Sequence, residues 1–266
     1  MKTLKNNQTT KQLIILHGWQ SSKEKWQKVK EILEKEGIRV IVPDIPGFKP
    51  ETRLNKTWNL DDYVEWFKDF LFKKRTTYPE LREGTCPELR EGFFLLGHSF
   101  GGRLAIKFAT KYPQKINGLI LVSAAGIKRN SFSKEFLGLG AKVAKDLKIE
   151  EVPVIKDFWQ LFKKFFYRYI LRKTDYLEAK GALKETIKNV LDEDLTPLLN
   201  KISVPTLILW GRKDRITPLK DALLMKEKIK NSKLKILEGI GHNIYLENPE
   251  LLAKIISHFI LKFAKL

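Results

Sequence analysis

Six short apolar runs, alternating with longer amphipathic segments, constrain this chain more than any other feature. The runs cover residues 13–16, 38–42, 93–96, 119–122, 206–210 and 234–237. The amphipathic segments include 23–36, 60–74, 102–112, 219–231 and 249–264. Runs this short and this uniformly apolar suit strands buried on both faces, and the longer segments suit helices that cover them. The expected fold class is therefore α/β: a mostly parallel sheet of about six strands flanked by helices. Right-handed crossovers would place the carboxyl ends of all the strands on one edge, where ligands bind in such sheets.

Between the fourth and fifth runs lies a long departure with no clear core strand. Its spacing of Phe158, Phe162, Phe165, Phe166 and Tyr169 predicts a helix with one apolar face. Residues 127–199 are expected to form a helical cap inserted before the last two strands, and 1–126 with 200–266 to form the core. Another irregularity is a duplication. Pro79-Glu80-Leu81-Arg82-Glu83-Gly84 recurs as Pro87-Glu88-Leu89-Arg90-Glu91-Gly92. It reads as a surface-loop insertion within the core, spanning 76–92.

Composition narrows the class. A chain of 266 residues with 43% hydrophobic and 30% charged residues should bury a sizeable core. No apolar run reaches the roughly 18 to 20 residues that span a bilayer, and the first residues lack an apolar signal segment, so a cytoplasmic protein is expected. The single cysteine, Cys86, excludes an intrachain disulfide. His17, His98, His242 and His258 fall in no metal-binding spacing, so neither metal nor cofactor is expected. The net charge of +19 raises a nucleic-acid or anionic-surface reading. The lysines are spread through nearly every helix without a nucleic-acid motif. A solvated basic surface with no specific nucleic-acid partner is the expectation.

Gly97-His98-Ser99-Phe100-Gly101 follows the third run and opens a helix-forming stretch. In a strand, sharp turn, helix setting, G-x-S-x-G marks an exposed serine nucleophile. Large side chains at 97 or 101 would clash where strand and helix meet, and the turn strains the serine backbone. The Phe100 N–H then lies at a helix N-terminus, able to donate to an oxyanion. A serine hydroxyl needs a base, and the base needs an orienting carboxylate. Asp214 stands just beyond the fifth run, although an aspartate in a surface turn flanked by Arg212, Lys213 and Arg215 is the alternative reading. His242 follows the last run, with Gly239 and Gly241 letting its loop bend back. His258 lies within the last helix. His98 sits in the turn itself, with its side chain expected to point away from that of the serine. His17-Gly18-Trp19 follows the first run, and the Trp19 N–H is the expected second oxyanion donor. His17 is expected to brace that loop.

Taken together, these residues resemble the α/β-hydrolase superfamily from about Leu13 to the C-terminus. The matching pieces are His17-Gly18, Pro43-Asp44-Ile45-Pro46-Gly47, the serine turn, Val204-Pro205-Thr206 leading to Trp210-Gly211, Asp214, Gly241-His242 and Glu247-Asn248-Pro249-Glu250. The resemblance implies structural roles for Asp44 and Gly47. It also implies a lidded fold, and here one or both of the usual eight-strand core's first two strands should be missing or reduced. The implied activity is that of a serine hydrolase, a carboxylesterase acting on small to medium esters through Ser99, Asp214 and His242, with Trp19 and Phe100 as oxyanion donors. C–C hydrolysis of a vinylogous diketone, lactone hydrolysis, or a noncatalytic small-molecule receptor stay open as alternatives. Arg103, two residues past the turn, is either a carboxylate clamp or a structural or solvent-facing side chain.

Overall fold

A computed structural model describes residues 11–19, 21–72, 92–128 and 181–264. All six apolar runs are strands: β1 Lys11–Leu16, β2 Ile38–Ile41, β3 Phe93–His98, β4 Ile116–Val122, β5 Thr206–Gly211 and β6 Ser232–Leu237. They form one wholly parallel sheet in the order β2-β1-β3-β4-β5-β6. The described helices are α1 Gln27–Lys35, α2 Leu60–Phe72, α3 Phe100–Lys111, α4 Ala182–Asp192, α5 Leu219–Lys228, α6 Ile244–Glu247 and α7 Pro249–Phe263.

The two-residue period of a strand explains why both faces are covered. On β1, Leu13 and Ile15 join a cluster with Val29 and Leu33 of α1 and Leu252 and Ile256 of α7. Ile14 and Leu16 join the opposite cluster, with Val64 and Phe67 of α2 and Leu104 and Phe108 of α3. Each such side chain, when fully buried, stabilises the fold by about 1.5–3 kcal/mol. The outer strand β6 is less covered and keeps Lys233 and Lys235 exposed, which discourages pairing with another sheet edge. Strand order reverses between β1 and β3. The crevice beyond their carboxyl ends is the expected ligand position in an open parallel sheet.

Helix α3 begins at Phe100, two residues before the expected start, because the turn at Ser99 leads straight into it. The duplicated loop, apart from Gly92, lies outside the described residues, as do residues 129–180 of the expected cap and its aromatic helix. The two described ends of that departure lie side by side. The Leu195 N–H donates to Gly126 O at 2.9 Å, and the Lys128 N–H donates to Asp194 Oδ1 at 3.1 Å. The returning stretch joins the core: Val190, Leu195 and Leu199 are fully buried beside α3, and the Trp58 N–H donates to Thr186 Oγ1 of α4 at 2.8 Å.

Candidate active site

Ser99 occupies the turn between β3 and α3 with φ 52° and ψ −115°. A non-glycine residue holds that left-handed backbone only where its surroundings fix it. Here they do. The Ser99 N–H donates to Val122 O at 3.3 Å, and the Ser99 carbonyl accepts from Gly102 N–H and Ala125 N–H, both at 2.9 Å. The flanking glycines are steric necessities. A Cβ at Gly97 would lie 2.5 Å from Gly101 O, and one at Gly101 would lie 2.0 Å from Leu16 O.

Asp214 follows β5 and His242 follows β6. His242 Nδ1 donates to Asp214 Oδ2 at 2.8 Å, with the carboxylate side chain fully shielded from solvent and the imidazole nearly so. The other oxygen, Oδ1, accepts from Ile216 N–H at 2.8 Å and Thr217 N–H at 2.9 Å. Thr217 Oγ1 lies 2.8 Å from Oδ2, completing four contacts on the carboxylate. Burial opposes ionisation of Asp214, but the hydrogen bonds and charge of His242 and the donors of Thr217 outweigh it. They hold the carboxyl below the ordinary aspartate range. A carboxylate so occupied keeps the imidazole proton on Nδ1 and leaves the Nε2 lone pair free.

The loop after β1 packs against the serine turn. A Cβ on Gly18 would lie 3.3 Å from Ser99 Cβ and 3.1 Å from His98 Nδ1. The Trp19 and Phe100 rings meet edge to face at 5.4 Å, each also packed on Phe48. The Phe100 N–H is in the first turn of α3, where a helix has no internal acceptor to offer it. Among the described residues, no group of three or more His, Cys, Asp or Glu side chains is placed to hold a metal ion, and no helix is long and apolar enough to cross a membrane.

The serine aminopeptidase S33 family profile matches residues 7–249. The chain belongs to this family, and is an α/β-hydrolase-superfamily serine hydrolase. Monoacylglycerol lipase ABHD6 of Bos taurus is 25% identical over 268 residues, spanning 93% of this chain and 74% of its own length. Lipase 1 of Psychrobacter immobilis is 26% identical over 250 residues, spanning 86% and 70%. The solved structure of MenH from S. aureus superposes with a TM-score of 0.65 at 26% identity, over 97% of this chain and 96% of that one.

Against that family background the remaining candidates separate. His17 braces its loop, with Nδ1 donating to Gly18 O at 2.9 Å and Nε2 accepting from Ile45 N–H at 3.4 Å. Burial pushes its pKa down. His258 is exposed on α7. Arg103 is buried rather than solvent-facing, and its guanidinium donates to Glu193 O just beyond α4. Burial lowers its pKa to about 10, against the opposing pull of Glu193 and Asp194. Arg103 thus ties α3 to the returning end of the long departure.

Thr217 was not singled out from sequence. Its hydroxyl reaches Asp214 Oδ2, Ser123 O at 3.1 Å and His242 Nδ1 at 3.3 Å, and its carbonyl accepts from Trp210 Nε1 at 2.7 Å. The available signal was the spacing Asp214-Arg215-Ile216-Thr217, in which an aspartate can accept from backbone two and three residues on.

Proposed function

We propose that this serine hydrolase cleaves carboxylic esters through an acyl-enzyme on Ser99. The observation that carries this reading is the buried Asp214–His242 pair, whose carboxylate is fully occupied and whose imidazole Nε2 is left as a base. His242 Nε2 takes the Ser99 proton as Oγ attacks the ester carbonyl. The backbone N–H groups of Trp19 and Phe100 receive the oxyanion, each worth roughly 10²- to 10³-fold in rate. The imidazolium then protonates the departing alcohol, and the acyl group stays on Ser99. Water, losing a proton to the same imidazole, releases the acid and restores the serine. Asp214 stabilises the transient imidazolium without taking its proton.

The lipase names of the relatives support an ester substrate, and the Trp19–Phe48–Phe100 cluster supports an apolar acyl or alkyl portion. Residues 127–199 would act as the cap that selects it, a reading supported by the paired ends of the departure. A cytoplasmic setting belongs to the same proposal and is checked by cell fractionation. The test of function is turnover on a panel of aryl esters, monoacylglycerols, a lactone, a vinylogous diketone and an aminoacyl arylamide, with Ser99→Ala as the blank. Ser99-dependent ester turnover is expected. Ser99-dependent turnover of another member alone would reassign the substrate class, and binding without turnover would favour a receptor.

A further inference from the structure

The loop that carries His242 is gripped on three consecutive backbone positions by two side chains outside the acid–base pair. One carboxylate, that of Glu247 in α6, takes two of them: Oε2 accepts from Gly241 N–H at 2.7 Å and Oε1 from Asn243 N–H at 3.2 Å. The third is the His242 carbonyl, which accepts from His98 Nε2 at 3.2 Å. His98 is itself wedged in place. Its ring lies 4.9 Å from that of His242, 5.0 Å from Tyr245 and 5.8 Å from Trp26, and Trp26 stacks on Tyr245 at 4.4 Å.

Side-chain hydrogen bonds to Asp214 fix the tilt of the imidazole but do not fix where its backbone sits. The start of the loop is seated on the end of β5, where a Cβ at Gly211 would lie 2.1 Å from Gly241 O and the Lys213 N–H donates to Ile240 O at 2.8 Å, whereas the N–H groups of 241 and 243 and the carbonyl of 242 are held by side chains. We infer that His98 and Glu247 are positioning residues, which together clamp the backbone of residues 241–243 so that the His242 imidazole is held at the distance the serine requires. Both act through His242 and neither touches the reacting atoms. His98 is also the residue before Ser99, so the same side chain links the nucleophile turn to the base loop. Displacement of a catalytic group by even an ångström is costly in rate, and a merely loosened loop would show that cost in kcat rather than KM.

This inference rests on the esterase reading, so its test has a readout independent of turnover. In the full-length chain, Glu247→Ala and His98→Leu are compared with Glu247→Gln and His98→Gln, whose amides preserve part or all of the lost contact. Expected is a fall in kcat for an aryl ester of about 10-fold in Glu247→Ala and in His98→Leu, with KM within about 2-fold. His98→Gln should restore kcat to within about 3-fold of wild type. The far-downfield proton resonance of His242 Nδ1, assigned by its loss in His242→Ala, should broaden in Glu247→Ala and His98→Leu and persist in His98→Gln. Glu247 is exposed, so its alanine variant leaves the core intact even if His98→Leu does not fold. Unchanged kcat and an unchanged resonance in Glu247→Ala would overturn the clamp, as would failure of His98→Gln to recover either signal. Absence of any Ser99-dependent ester turnover in the wild type would instead refute the esterase reading, and the resonance alone would then decide the clamp.

Discussion

Between β3 and α3, neighbours approach so closely that a single methyl group at Gly101 would meet Leu16 O at 2.0 Å. The loop that carries His242 is seated as closely on one side, where a Cβ at Gly211 would lie 2.1 Å from Gly241 O. What it adds is a set of side-chain polar contacts: Asp214 on the imidazole, Glu247 on two N–H groups and His98 on the carbonyl. The serine turn is set by steric exclusion, both within the turn and against Leu16 of β1. The base loop adds side-chain hydrogen bonds, from nearby Glu247 and from distant Asp214 and His98. Steric fit tolerates no enlargement, whereas a hydrogen-bonded loop loses position by degrees.

That contrast can be broken most severely at the imidazole itself. His242→Ala should lower ester kcat/KM by at least about 10³-fold with the thermal transition retained; retention of most activity would remove His242 as the base. The steric region should fail differently. Gly101→Ala is expected to cost about 3 kcal/mol or more of stability, read by urea denaturation, because the added Cβ faces backbone that cannot yield. A wild-type midpoint in that variant would mean the turn has slack that the packing does not show.

A buried histidine and a buried carboxylate sharpen the same comparison through pH. Burial first, and the nearby His242 second, push the His98 pKa down to about 3. A histidine unfolded in water has a pKa of about 6.5. Between these values the unfolded chain binds the proton and the folded chain does not, so His98 makes stability rise with pH across that window. At pH 5 the penalty from His98 is about 2 kcal/mol. His98→Gln should remove that part of the slope. Asp214 acts in the same direction lower down, since its depressed carboxyl contributes stability that is lost as pH falls through and below the ordinary aspartate range. Denaturation midpoints from pH 7 to pH 2 check both; an identical slope in His98→Gln would show that His98 does not stay neutral in the fold. The smallest effect belongs to His258→Ala on the exposed side of α7, which should change neither kcat nor stability by more than about 0.5 kcal/mol.

The contrast also explains what could be read from the sequence. The six strands were legible because apolar runs and amphipathic segments are local patterns, and Gly97 and Gly101 announce their turn within five residues. Asp214 and His242, 28 residues apart, were found as positions after particular strands rather than as a contact. The His98 contact spans 144 residues and joins a side chain to a backbone carbonyl. No residue-type pattern encodes such a pairing. Thr217 is hard to single out in the sequence because threonine near a turn has many ordinary uses. Arg103 showed its place only when the stretch after α4 was seen to return against α3.

Ser99 is proposed to be a nucleophile activated by His242. The most direct test is labelling with an aryl fluorophosphonate, followed by intact-protein mass and site mapping. One adduct is expected, on Ser99, formed at least about 10²-fold more slowly in His242→Ala and absent in Ser99→Ala. An adduct that persists in Ser99→Ala, or that forms on Ser99 at an unchanged rate without His242, would contradict it.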